Sequence, residues 1–173
     1  MIHSEDEKTE NLQDEEAVEK IRKLVKAAQV CMFTTSLQTV PFNTRPMSPA
    51  ETDDEGCIWF FSGISSDKNK EIELYSGVQL TFSNIGSNEF LSIYGDAEII
   101  VDRDRFERFW SPIVKVWFKE GKDDPELSLI KVTPKQSYYW DTQHNKMVYL
   151  FKMLASIVTG KTMDDSVEGE LKV

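Results

Sequence analysis

The residues best suited to chemistry lie in the stretch 43–70, NTRPMSPAETDDEGCIWFFSGISSDKNK. Arg45 opens the run Arg45-Pro46-Met47-Ser48, and Lys68 follows Ser66-Asp67, a pair with the character of a helix start. A guanidinium and an ammonium beside the free N–H groups of a helix N-terminus suit a phosphate. Charge-assisted bonds to such a group contribute about 1.5–3 kcal/mol each, and the helix dipole adds to them. The plain alternative for each cation is a surface ion pair, because 30 Asp and Glu are available and such pairs contribute little. Lys70 reads as a solvated helix lysine.

Other chemistries find less support. His3 lies in the N-terminal leader and His144 in a polar turn, and with two cysteines at no metal-ligand spacing they argue against zinc. Cys31 and Cys57 sit in apolar, strand-like runs and read as buried free thiols. No G-x-S-x-G or G-x-G-x-x-G occurs, so the usual signatures of serine hydrolases and dinucleotide binders are missing. The aromatic set Phe109, Trp110, Trp117 and Phe118 suits either packing or the wall of a ligand site.

The elements that must position these residues follow from periodicity. Ala17, Val18, Ile21, Leu24, Val25 and Ala28 recur at helical spacing after Asp14. Strands are expected at 30–36 and 40–50, where Pro46 and Pro49 require an edge or a bulge. The turn Asp53-Asp54-Glu55-Gly56 leads to a strand at 57–62, and a short helix begins near Lys68 and stops at Ser76-Gly77. Strands at 78–83 and 90–101 flank a loop at 83–88. Helical segments begin at Asp102 and Pro112, a pair of strands follows at 128–133 and 136–141, and a helix at 147–158 ends at Gly160. Six or seven mostly antiparallel strands in short-turn succession favour a mainly β fold, a small barrel rather than a parallel sheet.

The 173 residues suit one domain over 14–160, with an acidic, flexible leader at 1–13 and a tail at 161–173. A net charge of −10 opposes binding to nucleic acid or anionic membrane. It also makes any local cationic pair more informative. No apolar run approaches the ~20 residues that span a bilayer, and the first residues do not form a signal peptide, so a cytoplasmic setting is expected.

An ordered set of segments carries a family resemblance: Arg45-Pro46-Met47, Ile58-Trp59-Phe60-Phe61-Ser62, Ser66-Asp67-Lys68 and Tyr94-Gly95-Asp96-Ala97-Glu98, then FWSPIVKVWFKEG, DDPELSLIKVTP and Tyr138-Tyr139-Trp140-Asp141. The chain resembles the bacterial general stress protein branch of the pyridoxamine 5′-phosphate oxidase-like superfamily, the FMN-binding split barrels. That resemblance implies a six-stranded antiparallel split barrel with peripheral helices, a homodimer, and two FMN molecules at the dimer interface. It implies that Arg45 and Lys68 meet the phosphate, that Pro46, Met47 and Ser48 run beside the isoalloxazine, and that Phe61 and Ser62 lie at the ribityl and phosphate end. Trp140 is implied to approach the flavin of the partner subunit. An apolar slot is needed for the ring, and Trp59, Phe61 and Trp140 are candidates for its walls.

Two departures qualify the resemblance. Many relatives place a basic residue before the lysine, where this chain has Asp67; its charge weakens phosphate binding unless it points away. Pyridoxamine phosphate oxidases also follow the tryptophan with an Arg-x-His motif and a further arginine, where this chain has Lys146, Val148 and Leu150. The expectation is therefore an FMN-dependent oxidoreductase with a stress-related role that does not oxidise pyridoxamine phosphate. The alternative is a flavin carrier or sensor without turnover.

Overall fold

The computed structural model describes residues 8–142 and 166–173. The helix expected at 147–158, both histidines, and Lys146, Val148 and Leu150 lie outside the described residues. The chain begins with two short strands, β1 (Lys8–Thr9) and β2 (Leu12–Gln13), and a 15-residue helix, α1 (Asp14–Ala28). Asp14, Glu15 and Glu16 place negative charge in the first turn of α1, where the helix dipole favours it. Gln29 closes the helix in the left-handed region (φ 63°), its N–H bonding Val25 O. Ala17, Val18, Ile21, Leu24 and Val25 form the buried stripe.

There follow β3 (Cys31–Thr35), β4 (Asn43–Met47), β5 (Glu51–Thr52) and β6 (Ile58–Gly63). Then come α2 (Asp67–Leu74), β7 (Gly77–Asn84), β8 (Glu89–Ile100), α3 (Arg103–Phe109) and two 3-10 turns, Pro112–Val116 and Gly121–Asp123. The last two strands are β9 (Leu127–Thr142) and β10 (Ser166–Lys172). The strand expected at 40–50 is thus divided into β4 and β5 around Pro49. β4 is an edge strand, where Pro46 loses no ladder bond that a partner needs.

The sheet order is β1-β10-β9-β8-β7-β3-β4, with β6 and β5 branching from β9. Pairing is antiparallel except where β1 and β2 lie parallel to β10. β9 explains the split. It pairs with β8 along its length, while its other side holds β6 against residues 127–132 and β10 against 137–142. The two strands expected at 128–133 and 136–141 are therefore one. The break suggested by Pro134-Lys135 is absorbed by a register shift at Tyr94/Gly95 that leaves Lys135 as the extra residue. Gly95 is required there, because a Cβ would stand 2.4 Å from Thr133 O.

One hydrophobic core draws buried residues from α1, α2 and strands β3, β6, β7, β8, β9 and β10, so the sheet wraps around α1 without closing, as a split barrel. A second cluster, with Trp59, Phe106, Phe109, Val114, Phe118, Leu127 and Leu129, roots the segment after β8 on the outer side of β6 and β9. Helix α2 ends at Leu74, before the expected stop. Gly77 instead starts β7, and its bare Cα accommodates the Tyr75 ring, which a Cβ would approach at 2.7 Å.

Candidate functional site

A cleft of about 950 Å³ opens between the edge strand β4, the end of β6, the start of α2 and the segment after α3. Seven of the eight residues singled out from the sequence line it: Arg45, Pro46, Met47, Ser48, Phe61, Ser62 and Lys68. Trp140 does not. It stands on β9 at the β10 end, 41% exposed, with its ring centroid 4.8 Å from that of Tyr138.

The first turn of α2 is built by buried polar groups. Ser66 is the N-cap, its Oγ accepting the Asn69 N–H at 3.4 Å. Asn69 is fully buried; its Oδ1 accepts the Ser62 hydroxyl at 2.6 Å, and its Nδ2 donates to Ser128 Oγ at 3.1 Å. The Ser62 hydroxyl therefore anchors the helix start to β6. Asp67 turns outward, 91% exposed, and pairs with Lys70 at 3.2 Å. Of the first-turn amides, those of Asn69 and Lys70 bond Ser66, which leaves those of Asp67 and Lys68 without an intrahelical acceptor, and Lys68 lines the cleft beside them.

Arg45 is fixed before any ligand arrives. Its Nη2 bonds Glu71 Oε2 at 2.8 Å and its Nη1 donates to Thr35 Oγ1 at 2.6 Å. Glu71 also accepts from Thr35 Oγ1 at 2.5 Å and from Asn43 Nδ2 at 2.7 Å. Burial alone raises the Glu71 carboxyl, but the bonds from Thr35, Arg45 and Asn43, with the charge of Arg45, hold it below the usual carboxylate range. Among the described residues Lys68 has no ion-pair partner, whereas its neighbours Arg45 and Lys70 do. Burial and then the charge of Arg45 push the Lys68 ammonium below the ordinary lysine value, with Asp67 and Glu71 offsetting part of the effect. Glu71 and Thr35 carry no motif, and their link to Arg45 exists only once β3, β4 and α2 assemble.

The walls differ from expectation at one point. Trp59 is not a wall: it is fully buried, tilted against Phe109 with ring centroids 5.6 Å apart, with its indole N–H donating to Asp53 Oδ2 at 2.8 Å. Phe61 lines the cleft edge-on to Trp110 at 5.9 Å. Phe109, Val114 and Phe118 serve both as packing and as lining, and Trp117 stands at the rim, 69% exposed. Glu126, at the mouth, accepts the Ser65 N–H at 3.1 Å. The arrangement offers two cations and a helix N-terminus at one end and an apolar slot along the edge strand. A nucleotide with one phosphate and a planar ring fits both.

Residues 16–164 match the family model described as pyridoxamine 5′-phosphate oxidase like. Protein bli-3 of Neurospora crassa is 24% identical over 139 residues, which cover 75% of this chain; the chain spans 66% of that protein's own length. A candidate general stress protein 26 from Jannaschia sp. CCS1 superposes with a TM-score of 0.78 at 24% identity, covering 91% of this chain and 99% of its own. A general stress FMN/FAD binding protein from Xanthomonas citri superposes with a TM-score of 0.64 at 28% identity, covering 75% of this chain and 92% of its own.

Proposed function

Because the chain belongs to the pyridoxamine 5′-phosphate oxidase-like family, we propose that it binds FMN in this cleft as a homodimer and acts as a flavin-dependent oxidoreductase with a stress-related role. One observation carries the proposal: Lys68, a partly buried ammonium with no ion-pair partner among the described residues, lines the same cleft as Arg45 at the N-terminus of α2. Two like charges held together in an otherwise anionic molecule are relieved by an anion. The Xanthomonas citri protein, a general stress FMN/FAD binding protein, supports a flavin as the group that carries it.

In this reading Lys68 and Arg45 bond the phosphate, with the first-turn amides of α2 beside them. Asn69 and Ser62 hold that turn in place. Pro46, Met47 and Ser48 offer an open strand edge to the ring, and Phe61 closes one side of the slot. FMN, when bound, supplies hydride or electron transfer; the protein orients it and limits its contact with water. Trp140, remote from its own chain's cleft, is assigned to the partner subunit's flavin. Lys146, Val148 and Leu150, in place of the substrate-binding Arg-x-His set, argue against pyridoxamine phosphate as substrate. The two buried free thiols, Cys31 and Cys57, support a reducing, cytoplasmic setting.

The test is a titration of the purified protein with FMN and with riboflavin, followed by flavin fluorescence. Arg45→Ala combined with Lys68→Ala is expected to weaken FMN at least tenfold and to leave riboflavin nearly unchanged. Equal losses for the two ligands would refute the phosphate assignment, and a parent protein that takes up no FMN would refute the flavin. Steady reduction of the bound flavin by NADH or NADPH then distinguishes an enzyme from a carrier.

A further inference from the structure

Arg45 and Lys68 sit on different elements, β4 and α2, and a single carboxylate ties those elements together. Glu71 lies one turn after Lys68 on α2, and both of its oxygens are used. Oε2 takes Arg45 Nη2 (2.8 Å) and Thr35 Oγ1 (2.5 Å), and Oε1 takes Asn43 Nδ2 (2.7 Å). Asn43 and Arg45, two residues apart, share one face of β4, and the fully buried Thr35 opposes Asn43 in register on β3. The guanidinium has five donors in a fixed fork. Glu71 and Thr35 each engage one terminal nitrogen, which fixes the plane of the fork while leaving donors for a ligand.

Charge and geometry make opposite predictions here. A carboxylate beside a phosphate site repels the ligand, so charge alone says that removing Glu71 tightens binding. Geometry says that removing it frees the fork of Arg45 and unties α2 from β3 and β4. We propose that Glu71 is a positioning residue for the phosphate of the bound nucleotide, setting the plane of Arg45 and the placement of Lys68 relative to it. This rests on the flavin reading above. Glu71 does not line the cleft, whereas Arg45 and Lys68 do, so it acts only through the two cations, and its effect is confined to ligands that carry a phosphate.

The experiment is a fluorescence titration of the full chain with FMN and riboflavin, for the parent, Glu71→Ala, Glu71→Gln, Thr35→Val and Arg45→Ala with and without Glu71→Ala. Glu71→Ala is expected to weaken FMN at least fivefold with riboflavin within twofold of the parent. Glu71→Gln, which keeps an acceptor for Arg45, recovers most of that loss. In the Arg45→Ala background, Glu71→Ala weakens FMN less than it does in the parent, because only the placement of Lys68 is left to lose. Should Glu71→Ala not fold, Thr35→Val, which removes the hydroxyl that both groups share, carries the same expectation of an FMN-specific loss. FMN binding by Glu71→Ala as tight as, or tighter than, that of the parent would overturn the proposal and leave Glu71 a repulsive neighbour. Equal losses for FMN and riboflavin would overturn it as well, because a general loosening of α2 moves both. A parent that binds no FMN defeats the flavin reading, a result seen before any variant is made.

Discussion

Lys68 gives the candidate site a pH signature. Burial and Arg45 lower its pKa, so in the free protein part of its charge is lost below the ordinary value of 10.5. A bound phosphate dianion raises that pKa again. Affinity is then complete below the free-state pKa and falls as pH rises through it toward the bound-state value, while the phosphate, whose second pKa is near 6, stays doubly charged. FMN dissociation constants measured from neutral pH upward should show this fall, and Lys68→Arg, which does not titrate there, should flatten it. Asp67 makes the converse prediction. Its carboxylate points to solvent and to Lys70, so Asp67→Asn should change FMN affinity less than twofold in the same titration. Arg45 and Lys68 were legible in the sequence because cations are conspicuous in an acidic chain and Ser66-Asp67 marks a helix start. Glu71 was not, because its bond to Arg45 spans 26 residues and is indistinguishable in sequence from any helix glutamate.

At the scale of elements, α2 is held over β6 and β9 by Ser62, Asn69 and Ser128 rather than by a broad apolar stripe; only Asn69 and Ile72 of its residues are buried. Asn69→Ala strips Ser62 and Ser128 of a buried partner and is expected to cost about 1–3 kcal/mol of stability. Ser66→Ala, which removes the cap, should cost about 1 kcal/mol. Chemical denaturation of the two variants checks both, with the larger shift expected for Asn69. The alternation of β7 and β8 and the apolar spacing of α1 made those elements readable. β9 was not readable as one strand, because Pro134 and Lys135 carry the marks of a turn. Pro134 falls in the interval between the last β6 partner, Val132, and the first β10 partner, Ser137, where a missing donor is tolerated. Trp59 misled for another reason: alternation puts it on the same face of β6 as Phe61, but Phe109 packs over it there and Asp53 takes its indole N–H, so it does not reach the cleft.

Over the whole molecule, the sheet is completed by residues from both ends of the sequence, which composition marked only as a polar leader and tail. Glu10 N–H bonds Glu168 O at 2.8 Å, and the Tyr139 hydroxyl donates to Glu10 O at 2.9 Å. Gly169 lets this segment lie close, since a Cβ there would stand 2.0 Å from Glu10 O. Gly169→Ala should therefore dislodge residues 8–13 from β10, seen as faster amide hydrogen exchange at Glu10 and Glu170, whose N–H groups bond Glu168 O and Asn11 Oδ1, with little change at β7 and β8. Such closeness was not legible, because a glycine in a polar stretch reads as a turn until its neighbour is known. The parallel run of β1 and β2 on β10 has a mechanical consequence. Lys8 pairs with Val167 and Gln13 with Lys172, so a pull that draws Lys8 and Lys172 apart slides the strands past one another. Every bridge of that ladder bears the load at once, where a hairpin pulled at its open end would unzip one pair at a time. Stretched end to end, the molecule resists first at the place its sequence makes least conspicuous.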